Sequence, residues 1–485
     1  MTTNSSPARS EDARLYEQVA AKIARLIEDG TLRAGDRIPS VRQTSQQHGV
    51  SISTVLQAFF LLENRGLVEA RPQSGFYVKP RLKALPAIPK PTTPPAGVSR
   101  PTMSDYIVDV IASTRDPEVV PLGAATICSE LLPVSALSRL IAQLARDTRE
   151  KILVYDMPPG SPALRRQISL RSLDWEVPAG PEEILTTCGG TEALNLCLQA
   201  VTKPGDTVAI ESPCYYGILQ ILDNLGCRTV EIATDPGEGL SLSSLSSALK
   251  RHKIKAVVSI SNFNNPLGSC MPDEKKRELV RLLARRRIPL IEDDIYGDLC
   301  FGEARPKTAK SFDREGWVLL CSAFSKTLAP GFRVGWTMAG RFRSQVEKLK
   351  IAGTMATATL PQMALAEYLQ NGGYERHLRQ LRRAIQVQVE RCIEGVAQYF
   401  PADTRVTRPA GGCVLWVEFP KKVDALKLHA EALAAKISIA PGPIFSPKQK
   451  YRNYIRLNAG HPWSARIEGA LRRLGELARS QAERD

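Results

Sequence analysis

Residues 322–336 read SAFSKTLAPGFRVGW. One lysine, Lys326, stands among small and apolar neighbours, with Phe324 before it, Leu328, Ala329 and Pro330 after it, and Arg333 seven positions on. An ammonium in such company costs free energy unless its pKa falls or its nitrogen becomes covalently linked. Lys326 is therefore a candidate Schiff-base former. The stretch continues an apolar run, WVLLCSAF, that reads as a buried strand, which puts the lysine in the loop after a strand end.

The same pattern recurs upstream. DTVAIES, AVVSISNF and IPLIEDD are short, rich in β-branched residues and separated by helix-length segments. That alternation predicts a largely parallel sheet covered by helices. In an open sheet of this kind, ligand-binding residues gather at the carboxyl ends of the strands. CGGTEALNL puts Gly189, Gly190 and Thr191 at a helix start, where free N–H groups favour a phosphate. ESPCYYGIL brings Tyr215 and Tyr216 after a strand, where a ring could lie against a flat cofactor, and SNFNNPLG places Asn265 in a strand-end turn. Singly these signals are weak, because a Gly-Gly-Thr start is more often a plain helix N-terminus and Asn-Pro is ordinary turn chemistry. IEDDIYGDL is sharper: an acidic pair follows the apolar run IPLI, Tyr296 comes three residues after Asp293, and a buried carboxylate needs a cationic partner. A protonated pyridine nitrogen would be one. Arg333 suits a phosphate, and Arg456 in NYIRLNAG could clamp a carboxylate with its planar fork.

Residues 80–101, PRLKALPAIPKPTTPPAGVSRP, are proline-rich and predict a semi-rigid linker. Ahead of it, LYEQVAAKIARLIEDG predicts a helix with Tyr16, Val19, Ala20, Ile23 and Ile27 on one face. A second helix fits Ser40–His48, and a third begins at SISTVLQAFFLLENRG with Ser51 or Ser53 as its cap. LVEA and GFYV then bracket the turn RPQS. Three short helices and a hairpin make a winged helix-turn-helix, or else a small protein-interaction module. On the first reading Ser40, Arg42, Ser51, Ser53, Thr54 and Gln57 are groove- or phosphate-facing candidates, with Arg71 and Ser74 on the wing.

The 485 residues are too many for one core, and 43% hydrophobic with 24% charged is ordinary globular composition. The net charge of +15 hints at a polyanionic partner, yet residues 1–80 hold only ten Lys/Arg against eight Asp/Glu. Nucleic-acid binding therefore has to rest on the motif. Ten scattered cysteines without CxxC or Cys/His spacing support neither a metal site nor a disulfide framework, and suggest reduced thiols in the cytoplasm. The polar N-terminus and the lack of a long apolar run predict neither a signal segment nor a membrane span.

Taken in order, GGTEALNL, ESPCYY, NNPLG, EDDIYGDL, SAFSKTLAPGFRVGW and YIRLNAG resemble fold-type I pyridoxal-phosphate enzymes of the aminotransferase group, over roughly residues 105–475. The resemblance implies pyridoxal 5'-phosphate as cofactor, with Lys326 forming the internal aldimine and acting as catalytic base. It implies Asp293 at the pyridinium nitrogen, Tyr296 on the ring hydroxyl, Asn265 beside the ring and Tyr215 stacked on it. Gly189, Gly190, Thr191, Ser325 and Arg333 fall on the phosphate-cup positions, and Arg456 on the carboxylate clamp. Ala323 stands where Ser or Thr is usual, so that either one phosphate hydrogen bond is missing or Ser322 supplies it, and NPLG replaces NPTG. The N-terminal segment is similar to GntR-type winged helices, through Pro-Ser-x-Arg at 39–42, Ser-x-x-Thr-Val at 51–55 and Gly75, with Ile52 where many relatives carry Arg.

The whole chain resembles the MocR subfamily of bacterial regulators. The expected architecture is multidomain: a winged helix-turn-helix at 12–79, a linker at 80–104, and an α/β aminotransferase-like domain at 105–485 whose small α+β subdomain begins near 370. The implied function is that of a homodimeric transcriptional regulator on a double-stranded DNA operator. An amino acid, an amine or pyridoxal phosphate itself would be the effector. The competing reading is a working aminotransferase with an appended DNA-binding domain.

Overall fold

The computed structural model describes residues 15–33, 35–71, 75–78, 85–94, 97–101 and 105–483, without the side chains of Glu28, Asn64 and Arg71. The chain divides into two units, 1–85 and 86–485.

In the N-terminal unit, α1 (Leu15–Glu28) buries Val19, Ala20, Ile23 and Ile27, and Tyr16 is packed beside them. α2 (Val41–His48) starts in a reciprocal cap: Ser40 accepts from the Gln43 N–H, and the Gln43 side chain accepts from the Ser40 N–H. It stops at Gly49, whose left-handed backbone returns its N–H to Ser45. α3 (Ile52–Asn64) is capped by Ser51 and buries Val55, Ala58, Phe59 and Leu62 against the hairpin of β1 (Val68–Arg71) and β2 (Gly75–Val78). Phe59 meets Phe76 edge-on, with centroids 5.0 Å apart. The wing was expected to present Arg71 and Ser74; Ser74 and the Arg71 side chain lie outside the described residues.

The large unit carries β3 (Val120–Pro121) and then the strands of its main sheet: β4 (Ile184–Thr187), β5 (Thr207–Ser212), β6 (Arg228–Asp235), β7 (Gly239–Leu240), β8 (Ile254–Ser259), β9 (Leu290–Asp293), β10 (Val318–Ala323) and β11 (Gly335–Met338). Their order is β4-β11-β10-β9-β8-β5-β6-β7, parallel from β10 to β6, with β11 and β7 antiparallel. Both faces are buried, as the apolar runs require. Val208, Ile210, Ile291 and Leu319 face the helices Gly190–Val201 and Tyr216–Asn224, while Ala209, Val257, Leu290 and Val318 face Leu242–Arg251 and Asp273–Arg285.

β12 (Arg405–Val406), β13 (Val414–Glu418), β14 (Ile437–Ser438), β15 (Ala440–Pro441) and β16 (Tyr454–Asn458) belong to the smaller subdomain. Four of them form an antiparallel sheet ordered β12-β13-β16-β15, and β14 pairs in parallel with β3. The subdomain was expected to be continuous from about 370, but Val120, Leu122, Ala125 and Ile127 are built into its core. The proline-rich stretch is not a bare spacer either. Between 86 and 94 it lies along the large unit, where Thr92 Oγ1 donates to Ser212 O at 2.6 Å and Lys450 Nζ donates to Thr93 O at 2.6 Å.

All five tryptophans lie beyond residue 85, at positions 175, 317, 336, 416 and 463, so their fluorescence reports the large unit alone. Phe59 is fully buried, and Phe59→Ala is expected to cost the N-terminal unit about 3–5 kcal/mol. In urea, circular dichroism of this variant should show an early loss of helix with the tryptophan transition unmoved. A shifted fluorescence transition would mean that the two units do not unfold separately.

Candidate functional site

The carboxyl ends of the parallel strands open on a cleft of about 490 Å³. Gly190, Thr191, Tyr215, Asn265, Asp293, Tyr296, Ser325, Lys326 and Arg333 line it, as does the loop Ala124–Thr126. Each side chain arrives by the same local rule. Asp293 is the last residue of β9, Lys326 lies three residues past β10, and Tyr215 three past β5. β4 runs into Gly189, whose φ of 84° turns the chain directly into the helix starting at Gly190. A side chain at Gly189 would collide with the Arg333 guanidinium, which donates to Cys188 O at 3.4 Å and to Ser325 Oγ at 3.5 Å. Gly335, opening β11, is equally confined: a Cβ there would lie 2.5 Å from the Gly189 carbonyl carbon.

The two aspartates of IEDD part company. Asp294 turns away from the cleft and pairs with the buried Arg305, which also holds Asp298 at 2.6 Å. Asp293 faces the cleft, and among the described residues its side chain has one hydrogen bond, from the Ile295 N–H at 3.1 Å. Burial pushes its pKa up to about 7, with Asp294 adding to the rise and Lys326 opposing it. Lys326 Nζ donates to Ala125 O at 2.5 Å and lies 6.0 Å from the centre of the Tyr296 ring. Burial lowers its pKa, and the nearby Arg456 and Arg333 charges lower it further. A desolvated amine with a depressed pKa is a better nucleophile at neutral pH.

Arg456 is fully buried in the middle of β16. Its Nη1 donates to Asn265 Oδ1 at 3.0 Å and its Nη2 to Gly123 O, while Nε has no hydrogen-bond partner among the described residues. The fork thus keeps a donor for an incoming acceptor. Tyr215 and Tyr216 pack with ring centres 4.8 Å apart, and Gly217 leaves room for the Tyr215 ring, since a Cβ there would fall 2.5 Å from it. Of the two alternatives for the phosphate hydrogen bond that Ala323 cannot make, its absence or its supply by Ser322, the structure favours the first, because the Ser322 hydroxyl is engaged elsewhere, donating to Asp294 O at 3.0 Å.

Sequence reasoning missed three contributors. Glu211, in the ESPCYY motif, is buried at the end of β5 and accepts from Ser259 Oγ, Ile260 N and Asn264 Nδ2 at 2.9, 3.0 and 2.7 Å. It thereby fixes the turn that presents Asn265, and burial raises its pKa to about 7. Its signal was available, as an acid closing an apolar strand. The carbonyls of Gly123 and Ala125 left no signal, because any residue supplies one.

In the N-terminal unit Ser40 and Ser51 are spent as helix caps, and Ser51 Oγ lies 2.8 Å from both Ser53 Oγ and Thr54 Oγ1. Arg42, Ser53 and Gln57 are exposed.

The profile of aminotransferase class I and II matches residues 119–474, and that of the bacterial regulatory proteins of the gntR family matches residues 15–78. The chain belongs to the GntR-type regulators that carry an aminotransferase domain. This is the plan of the MocR subfamily. The HTH-type transcriptional regulator YdcR of Escherichia coli, itself described as uncharacterized, is 40% identical over 95% of this chain and 98% of its own length. The 2-aminoadipate transaminase of Thermus thermophilus is 30% identical over 76% of this chain and 92% of its own. Among solved structures, LysN, the alpha-aminoadipate aminotransferase of Thermus thermophilus complexed with N-(5'-phosphopyridoxyl)-L-leucine, superposes with a TM-score of 0.72 at 27% identity, covering 79% of this chain and 96% of that one. Among the described residues no helix is long and apolar enough to cross a membrane, and no cluster of His, Cys, Asp or Glu could hold a metal ion.

The raised pKa of Asp293 gives a signed prediction. The folded chain keeps this proton up to about pH 7, whereas the unfolded chain releases it near 3.8. The carboxyl therefore withdraws stability as pH rises between those values, by about 1.4 kcal/mol per pH unit, and nothing further above them. In urea titrations of the cofactor-free protein, Asp293→Asn should gain on the parent over that window and run parallel to it above pH 7. A constant difference across the window would show that Asp293 is ionised throughout.

Proposed function

We propose that this protein is a cytoplasmic, homodimeric transcriptional regulator that binds pyridoxal 5'-phosphate at Lys326 and answers to an amino acid or amine. The reading is carried by one observation. Among the described residues, a half-buried lysine, a buried carboxyl without an ion-pair partner and a buried arginine with a spare N–H line or adjoin one cleft. The residues fit the cofactor. Lys326 offers the amine that an aldehyde requires, Asp293 the anion that a protonated ring nitrogen requires, and the Gly189–Thr191 helix start with Ser325 and Arg333 the donors that a phosphate requires. When bound, pyridoxal phosphate supplies an electrophilic carbon and an electron-withdrawing ring.

The chain's own groups do the rest. Tyr215 provides a ring face and Tyr296 a buried hydroxyl, while Asn265, held by Glu211 through Asn264, sets the edge of the cleft. Arg456 receives the effector carboxylate, giving up its bond to Gly123 O. The loop of Gly123 and Ala125 belongs to the core of the small subdomain, so an effector that takes over its contacts favours one placement of that subdomain over another. α3 and the hairpin read a double-stranded operator, with Arg42 on phosphate. The retention of Lys326, Asp293 and Arg456 together also supports a second reading, a working aminotransferase.

Visible absorption after addition of pyridoxal phosphate tests the cofactor, and the band should be lost in Lys326→Ala. Arg456→Met should keep the band and weaken the response to amino acids roughly tenfold or more, as expected for loss of a charge-assisted pair. Gel shifts with the operator, with and without amino acid, test regulation: unchanged affinity at saturating effector would sink it. Multiple turnovers to the keto acid would establish the enzyme reading instead.

A further inference from the structure

α3 contains no lysine or arginine between Ile52 and Asn64. Its inner face, Val55, Ala58, Phe59 and Leu62, is fully buried and fixes its rotation. The outer face carries two columns at helical spacing. One is apolar, with Ile52 50%, Leu56 36% and Phe60 53% exposed; the other is the polar pair Ser53 and Gln57. Single exposed apolar side chains need no explanation, but three in register between the core stripe and the polar pair form a surface.

We infer that this face recognises A·T base pairs in the major groove, Ile52 and Leu56 packing on thymine 5-methyl groups and Gln57 pairing with adenine. The inference rests on the reading of the N-terminal unit as DNA-binding. The residues near the start of a recognition helix are the ones that reach base edges. In the major groove only thymine presents a methyl group, and a glutamine amide matches the N6/N7 edge of adenine. Guanine is normally read by Arg or Lys through O6 and N7, and this helix has neither. Four residues of helix advance about 6 Å, close to two base steps of 3.4 Å, so Ile52 and Leu56 are spaced to meet bases on alternate steps. Gln57, adjoining Leu56 on the same face, is placed for a neighbouring pair.

The full-length protein would be used to select duplexes from a random pool, and the selected duplex remade with uracil for thymine, position by position. Uracil lacks only the methyl group, so the test alters the DNA and leaves the fold of the protein untouched. The inference expects selected sites rich in A·T and about fourfold weaker binding for each contacted methyl removed. Leu56→Ser should bind the thymine duplex more weakly and lose its preference over uracil at one position. Selected sites read through G·C, or sites indifferent to uracil, would overturn the inference and leave DNA binding standing. Failure to retain any duplex would remove the DNA-binding reading, and the inference with it. A Leu56→Ser protein that changes oligomeric state while holding both duplexes equally would assign the face to protein contact instead.

Discussion

Charge taken out of water has to be met by something, and the large unit is arranged around that requirement. A parallel sheet covered on both faces leaves its polar business to the strand ends. There the chain assembles Glu211, Glu292, Asp293, Asp294 and Arg456, all of them buried. Most are answered locally: Asp294 by Arg305, Glu292 by the Ala309 and Lys310 N–H groups, and Glu211 by three donors from the neighbouring strand and turn. Asp293 and Arg456 are answered least fully, and they flank Lys326. Incomplete satisfaction of groups so costly to bury marks where a ligand belongs.

Much of this was legible in the sequence because it is written locally. The apolar runs gave β5, β8, β9 and β10, and the polar punctuation after them fell at the sheet edge, since a parallel sheet brings such loops together wherever they stand in the chain. What remained unread depends on distant partners. Nothing in IEDD says which acid faces the cleft; Arg305, eleven residues on from Asp294, decides it. The joining of Val120–Ile127 to the C-terminal core and the docking of Thr92 on Ser212 are pairings across hundreds of residues or more than one hundred. The apolar column on the outer side of α3 became meaningful only once the hairpin was seen to cover Phe59 and not Phe60.

The two units handle polarity in opposite ways. The cleft confines cations and anions where water is scarce, so that small differences in charge placement carry large free energies. The exposed face of α3 from Ile52 to Phe60 carries no charge, and its discrimination has to come from shape, methyl contact and one amide. Joining them is a segment that is no passive spacer, since Thr92 is held by the terminal residue of the strand that leads into Tyr215.

The contact between Gly335 and the turn at Gly189 and Gly190 reaches beyond the chemistry of the cleft. Backbone lies against backbone there, with a Cβ at Gly335 falling 2.5 Å from the carbon and 2.8 Å from the nitrogen of the Gly189–Gly190 peptide. Neither partner has a flexible end that could yield, so a change at one position cannot be absorbed by a compensating change at the other. Such a pair is a dead end for mutational drift: a lineage could lose its effector, its operator or its turnover while this corner of the fold stayed fixed, because it is held by geometry and not by the task performed beside it.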